Sequence, residues 1–138
     1  MSSQYLSQTI HQDNIDIKVN NITFDSIYMP RTSVTQSTSI TTPVSCNAES
    51  GRITTFTSTA AADSTTQFAV TNTKVTPTDT ILVAVNDYSG TYGTNGVPVV
   101  HAKNISTGTF GITIQNVHPT NAFDGTFEIC FVVIHDDA

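Results

Sequence analysis

Apolar and polar residues alternate along most of this chain with a period of two, and no stretch sustains the helical period of about 3.6 residues. Val34, Gln36, Thr38, Ile40, Thr42, Val44 and Cys46 share one parity and predict one long first strand. Asn47 to Gly51 reads as a turn, Arg52 to Ser58 as a second strand, Thr59 to Ser64 as a corner. Thr65 to Asn72 forms a third strand with Phe68 and Val70 inward, closed by the turn Thr76-Pro77-Thr78-Asp79, where Pro presets its φ and Asp bonds nearby backbone. The run from Thr80 to Val85 is apolar without interruption, which predicts burial on both faces or a central position. Val97 to Asn104 is a fifth strand, with Pro98 favouring an edge, and Gly108 to Val117 a sixth with Phe110, Ile112 and Ile114 on one face. In the last strand, Thr126 to His135, both faces are apolar, so it is expected in a central position or at a subunit contact. Turn signals about every 8 to 12 residues and about seven strands predict an all-β fold, an antiparallel β-sandwich of Ig-like or jelly-roll-like kind.

Residues 1–33 read differently. Asn, Gln and Asp are dense there, glycine is absent from the first 30 positions, and only Ile15-Asp16-Ile17-Lys18-Val19 alternates cleanly. Asn20-Asn21 suits a turn after which Ile22-Thr23-Phe24 pairs back, but a lone hairpin is marginal in water. We read 1–33 as an extended N-terminal arm that orders on a partner or a neighbouring subunit, with Ile15, Ile17, Val19, Phe24 and Tyr28 as its anchoring side chains. Residues 34–138 form the sandwich domain.

Composition narrows the function. Only 12% of residues are charged, the net charge is −6, and Thr is the commonest residue. Thr is β-branched and suits a half-exposed pleated surface. Five scattered cations make no basic stripe, so no nucleic-acid partner is expected. No apolar run is long enough to span a membrane, and Met1-Ser2-Ser3-Gln4 lacks the charged and apolar regions of a secretory signal, so maturation in a reducing compartment is expected.

Candidate chemistry is sparse. The four histidines occur in no metal-ligand spacing. His101, on the parity of Val97 and Val99, is read as a hydrogen-bonded strand histidine with an inward orientation left open, and the terminal His135-Asp136-Asp137 is expected to be solvated. There is no GxSxG elbow and no paired-carboxylate signature around Glu49 or Glu128, so no catalytic residue, metal or cofactor is expected. First and last strands often pair in sandwiches, which leaves a Cys46–Cys130 bridge open, but two buried free thiols are the expectation for a chain without a signal. The loop from Asp87 to Gly96 carries Tyr88, Tyr92 and Asn95, residue types that make contact surfaces at low entropic cost. They are the candidate contact loop, against the alternative that each ring folds down over its own loop.

Two stretches carry a resemblance. Val34-Thr35-Gln36-Ser37-Thr38-Ser39-Ile40-Thr41-Thr42-Pro43-Val44 leading to Gly51-Arg52-Ile53-Thr54-Thr55, and Phe68-Ala69-Val70-Thr71-Asn72 leading to Asp79-Thr80-Ile81-Leu82-Val83, are similar to small structural domains on the virions of tailed phages and related viruses. Gly108 to Val117 and Gly125 to Ile134 fit the same pattern. The resemblance spans residues 34–135 and implies a non-enzymatic virion protein: a capsid decoration or head-fibre protein, usually a homotrimer, docked on capsid or fibre proteins with the arm as tether. The alternative it implies is the receptor- or glycan-binding tip of a viral fibre, touching a host-surface glycan.

Overall fold

The computed structural model describes Ser26 and residues 28–136. Of the anchoring side chains named above, Ile15, Ile17, Val19 and Phe24 lie outside the described residues. The described chain is all-β, without a helix, in eight strands: β1 Thr32–Thr35, β2 Val44–Ser45, β3 Ser50–Thr54, β4 Thr65–Thr71, β5 Thr80–Tyr88, β6 Pro98–Ser106, β7 Thr109–Asn116 and β8 Phe127–Ile134. Sheet A has the order β1-β3-β8-β5 and sheet B the order β2-β4-β7-β6. The inward side chains of both sheets form one core, in which Phe110 of sheet B meets Phe131 of sheet A edge to face at 5.2 Å.

The first predicted strand is two strands in different sheets. The alternation of 34–46 was compatible with a straight strand, but Gln36 is buried and breaks it. Its amide donates to Ile40 O at 3.2 Å and Thr42 O at 2.7 Å, while its Oε1 accepts from Phe56 N at 3.0 Å. A buried amide with both ends satisfied folds 36–43 into a turn that carries the chain from sheet A to sheet B. The chain then crosses back for β3 and over again for β4. Strands two apart in sequence therefore become neighbours entering from the same end, and β1/β3 and β2/β4 are parallel. The all-antiparallel, seven-strand expectation is corrected on this point: the sheets are mixed. The parallel pairs use the opposite sheet as the crossover that such pairs require.

Gly51 belongs to β3, not to the preceding turn. A Cβ there would lie 2.2 Å from the Phe131 ring and 2.8 Å from Cys46 Sγ, so only glycine lets β3 lie against these side chains. The last strand is central, between β3 and β5, and β6 is an edge strand beginning at Pro98, both as its sequence pattern indicates. The apolar run 80–85 is not buried on both faces. Strand β5 is the edge of sheet A; Ile81 points into the core, while Leu82 and Ala84 point to solvent. His101 faces outward. Val100 and Ala102 are its inward neighbours, so alternation turns the imidazole outward.

Candidate docking face

The outer face of sheet A is built from the alternate residues of β3, β8 and β5. Register sets Ser50, Val132 and Leu82 in one row, Arg52, Cys130 and Ala84 in the next, and Ile134 beside Thr80 at one end. Leu82 is 55% exposed and Ile134 48%. Scattered exposed apolar residues need no explanation, but Leu82 and Ile134 flank the half-buried Val132 and make one apolar patch. On this face Arg52 pairs with Glu128, Arg52 Nη1 lying 3.4 Å from Glu128 Oε2, and Glu128 also accepts from the Asn86 amide.

The N-terminal segment enters across this same face. Tyr28, Met29 and Arg31 line an open groove of about 570 Å³ with Ser50, Arg52 and Val132, and Arg31 Nη1 donates to Cys130 Sγ at 3.7 Å. Tyr28, the one predicted anchoring side chain among the described residues, is exposed at the rim of this groove.

The tyrosine loop divides. Tyr88 is the last residue of β5 and buried; its ring stacks on Phe127 at 4.7 Å and its hydroxyl accepts from Asp124 N at 3.1 Å. Gly90 closes over it, since a Cβ at that position would overlap the ring. Tyr88 is thus a core residue and is withdrawn as a contact for a ligand. Tyr92 is 58% exposed and leans edge-on against Tyr88. Asn95 closes the loop on itself: its N–H donates to Thr91 O at 2.7 Å and its Oδ1 accepts from Thr91 N at 2.9 Å. Only Tyr92 remains free to meet a partner.

Both cysteines are free thiols. Cys46 is buried, which pushes its thiol pKa up, and its S–H faces Thr32 O at 3.8 Å. Cys130 is half-buried on the outer face of sheet A, not in the core. The first strand neighbours β3 rather than β8, so first and last strands do not pair.

A charged cluster that the sequence pattern did not reveal lies at the end of β8. His135 Nε2 contacts Glu49 Oε2 at 2.6 Å and its Nδ1 contacts Asp79 Oδ1 at 3.1 Å. The Asp79 side chain is almost wholly covered and its Oδ2 accepts from Thr76 N at 2.7 Å. The Thr76 N–H, with help from His135, holds the Asp79 carboxyl below its ordinary value. Asp79 first, and Glu49 second, raise His135 above its ordinary value, since both carboxylates favour the imidazolium. Terminal residues are usually solvated, but here His135 is held between two carboxylates from positions 86 and 56 residues away. Neither separation leaves a local trace in the sequence; only the Thr76–Asp79 turn was visible.

Among the described residues no group of three or more His, Cys, Asp or Glu is arranged to hold a metal ion, and no helix is long and apolar enough to cross a membrane. Comparison with family models, curated proteins and solved structures finds no match.

Proposed function

We propose that this chain is a non-enzymatic structural protein of a virion surface, a capsid decoration or head-fibre protein. It docks through the outer face of sheet A, with residues 1–33 as tether. The observation that carries this reading is the coincidence of two features on one face: the apolar patch of exposed Leu82 and Ile134 with half-buried Val132 between them, and the entry of the N-terminal segment at Tyr28–Arg31. A low-charge surface relies on burial in an assembly rather than on charge repulsion to stay dispersed. The strand pattern's resemblance to small virion domains supplies the setting, and we read the two mixed sheets over one core as a β-sandwich of that type. Symmetric docking as a homotrimer, and manufacture in the host cytoplasm, belong to the same proposal.

Immunogold electron microscopy of purified particles, with antibody against residues 34–138, tests it. Gold over the head supports decoration or head fibre, and deletion of residues 1–30 should then leave a folded domain that no longer joins the particle. Gold confined to the tail end favours the fibre-tip reading, in which exposed Tyr92 is the contact and Tyr92→Ala abolishes adsorption. Accessible epitope with no labelled particles overturns both.

A further inference from the structure

We propose that the outer face of sheet B carries a binding site for a carboxylate-bearing saccharide of the uronic-acid type, with Lys103 holding the carboxylate. An open groove of about 480 Å³ lies on this face, within the usual size of a small-molecule site. Ala69 and Gly111 form its floor, and Thr41, Gln67, Lys103, Asn104 and Ser106 stand around it. Gly111 gives the groove its shape. A Cβ there would lie 3.2 Å from Lys103 Cγ and 3.4 Å from Lys103 O. The missing side chain lets the lysine stem lie across β7, so that its ammonium donates to Gln67 Oε1 on β4.

Charge selects the ligand. The chain carries −6, yet the four strands of sheet B contain no Asp or Glu, and Lys103 is their only Lys or Arg. Among the described residues no carboxylate forms an ion pair with Lys103. Its ammonium has three donors, and the acceptor it meets is a neutral amide. A ligand carboxylate brings the charge-assisted hydrogen bond that this face does not supply. Thr41, Gln67, Asn104 and Ser106 offer hydroxyls and amides, donors and acceptors together, which match the hydroxyls of a sugar ring. Phe68 and Phe110 border the groove, but their rings are buried in the core, so an apolar ligand finds no wall to pack against. A polyanion is disfavoured by the charge of the whole chain.

A second observation points the same way. Thr113 stands between Gln67 and His101 in the next row, is buried on this face, and has no hydrogen-bond partner for its Oγ1. Once a ligand carboxylate takes over the ammonium, Gln67 Oε1 is released as an acceptor for its cross-strand neighbour Thr113. In a chain docked through sheet A, this face is the one turned away from the particle.

The purified full-length chain tests the site with no particle present, so its failure leaves the virion reading standing. In ¹⁵N-labelled protein titrated with methyl glucuronide, the Gly111 amide and the Gln67 side-chain amide should shift and saturate with a Kd on the order of 1 mM. Methyl glucoside, which has CH₂OH in place of the carboxylate, should bind about tenfold or more weakly, the worth of one hydrogen bond to a charged group. Lys103→Gln should weaken the glucuronide by a similar factor and leave the glucoside unchanged, with circular dichroism confirming the fold. Acetate or inorganic phosphate saturating the same amides as well as the glucuronide would reveal an anion spot that does not read a sugar, and would overturn the proposal. Equal binding of glucoside and glucuronide overturns it too, as does a glucuronide response indifferent to Lys103→Gln. So does the absence of any response, or shifts confined to the loop around Tyr92.

Discussion

Sheets A and B contribute four strands each to one core, and each ends on a nine-residue edge strand, yet their outward surfaces differ. The outer face of sheet B sets Thr65, Gln115 and Val99 in one row, Gln67, Thr113 and His101 in the next, and Ala69, Gly111 and Lys103 in a third. Lys103 donates to the Gln67 amide across the glycine between them. Those rows are mostly polar, with Val99 exposed among them. The outer face of sheet A carries Leu82, Ala84, Val132 and Ile134, and there Arg52 pairs with Glu128. Core packing places no demand on either outer face, so the contrast teaches where the fold leaves room for an assembly contact.

The largest test of this contrast lies within β5 itself. Ile81→Ala should cost about 2–4 kcal/mol, as for other buried aliphatic truncations, and Leu82→Ala within about 0.5 kcal/mol. Urea unfolding of dilute protein with matched m-values reads both. A Leu82→Ala cost equal to that of Ile81→Ala would mean that the row is already covered within one chain, and the asymmetry between the sheets would vanish.

A second test concerns the left-handed residue of β6. Asn104 holds a φ of 50°, where a β-branched residue is strained, so Asn104→Val should lose about 1–2 kcal/mol and Asn104→Gly much less. Equal effects of the two in urea unfolding would show that the bend is not what Asn104 is there for.

The smallest effect is the pH response of the clamp that pins the start of β5. His135 is faced by Glu49 and by Asp79, which immediately precedes Thr80, and has Asp136 beside it in sequence. Its pKa is raised in the folded chain, so its contribution is complete below the ordinary value of 6.5 and is lost as pH rises through the folded value. The pKa of Asp79 is lowered, so its contribution is complete above the ordinary value of 3.8 and is lost as pH falls through the folded value. The clamp is therefore strongest between about pH 4 and 6.5. Thermal unfolding of the wild type should drift down in midpoint above that window, and His135→Ala should remove the drift. A drift of the same size in the variant would assign it to other groups.

Several elements were legible without coordinates because each rests on local alternation. Phe110, Ile112 and Ile114 marked the inward face of β7, the two apolar faces of 126–135 marked a central strand, and Pro98 marked an edge. The readings of Gln36 and Leu82 went astray for one shared reason. Alternation says which residues share a face, not which face meets a second sheet, and a polar residue buried by a distant segment looks like any exposed one. Asn72 and Asn116 show the same blindness. Both are buried at or just beyond strand ends; Asn72 donates to Ala48 O at 2.7 Å, and Asn116 donates to Asn121 O at 2.9 Å while accepting from Val97 N at 3.1 Å.

From the sequence alone came the all-β class, most strand positions and the low-charge surface, since period and composition are properties of neighbouring residues. The tertiary structure alone decided that the first strand splits between two sheets, that β5 lies at an edge with Leu82 in solvent, and that Glu49, Asp79 and His135 meet. Those outcomes depend on which strand lies beside which, and strand order is set by packing and loop geometry across the whole chain, where no local pattern records it.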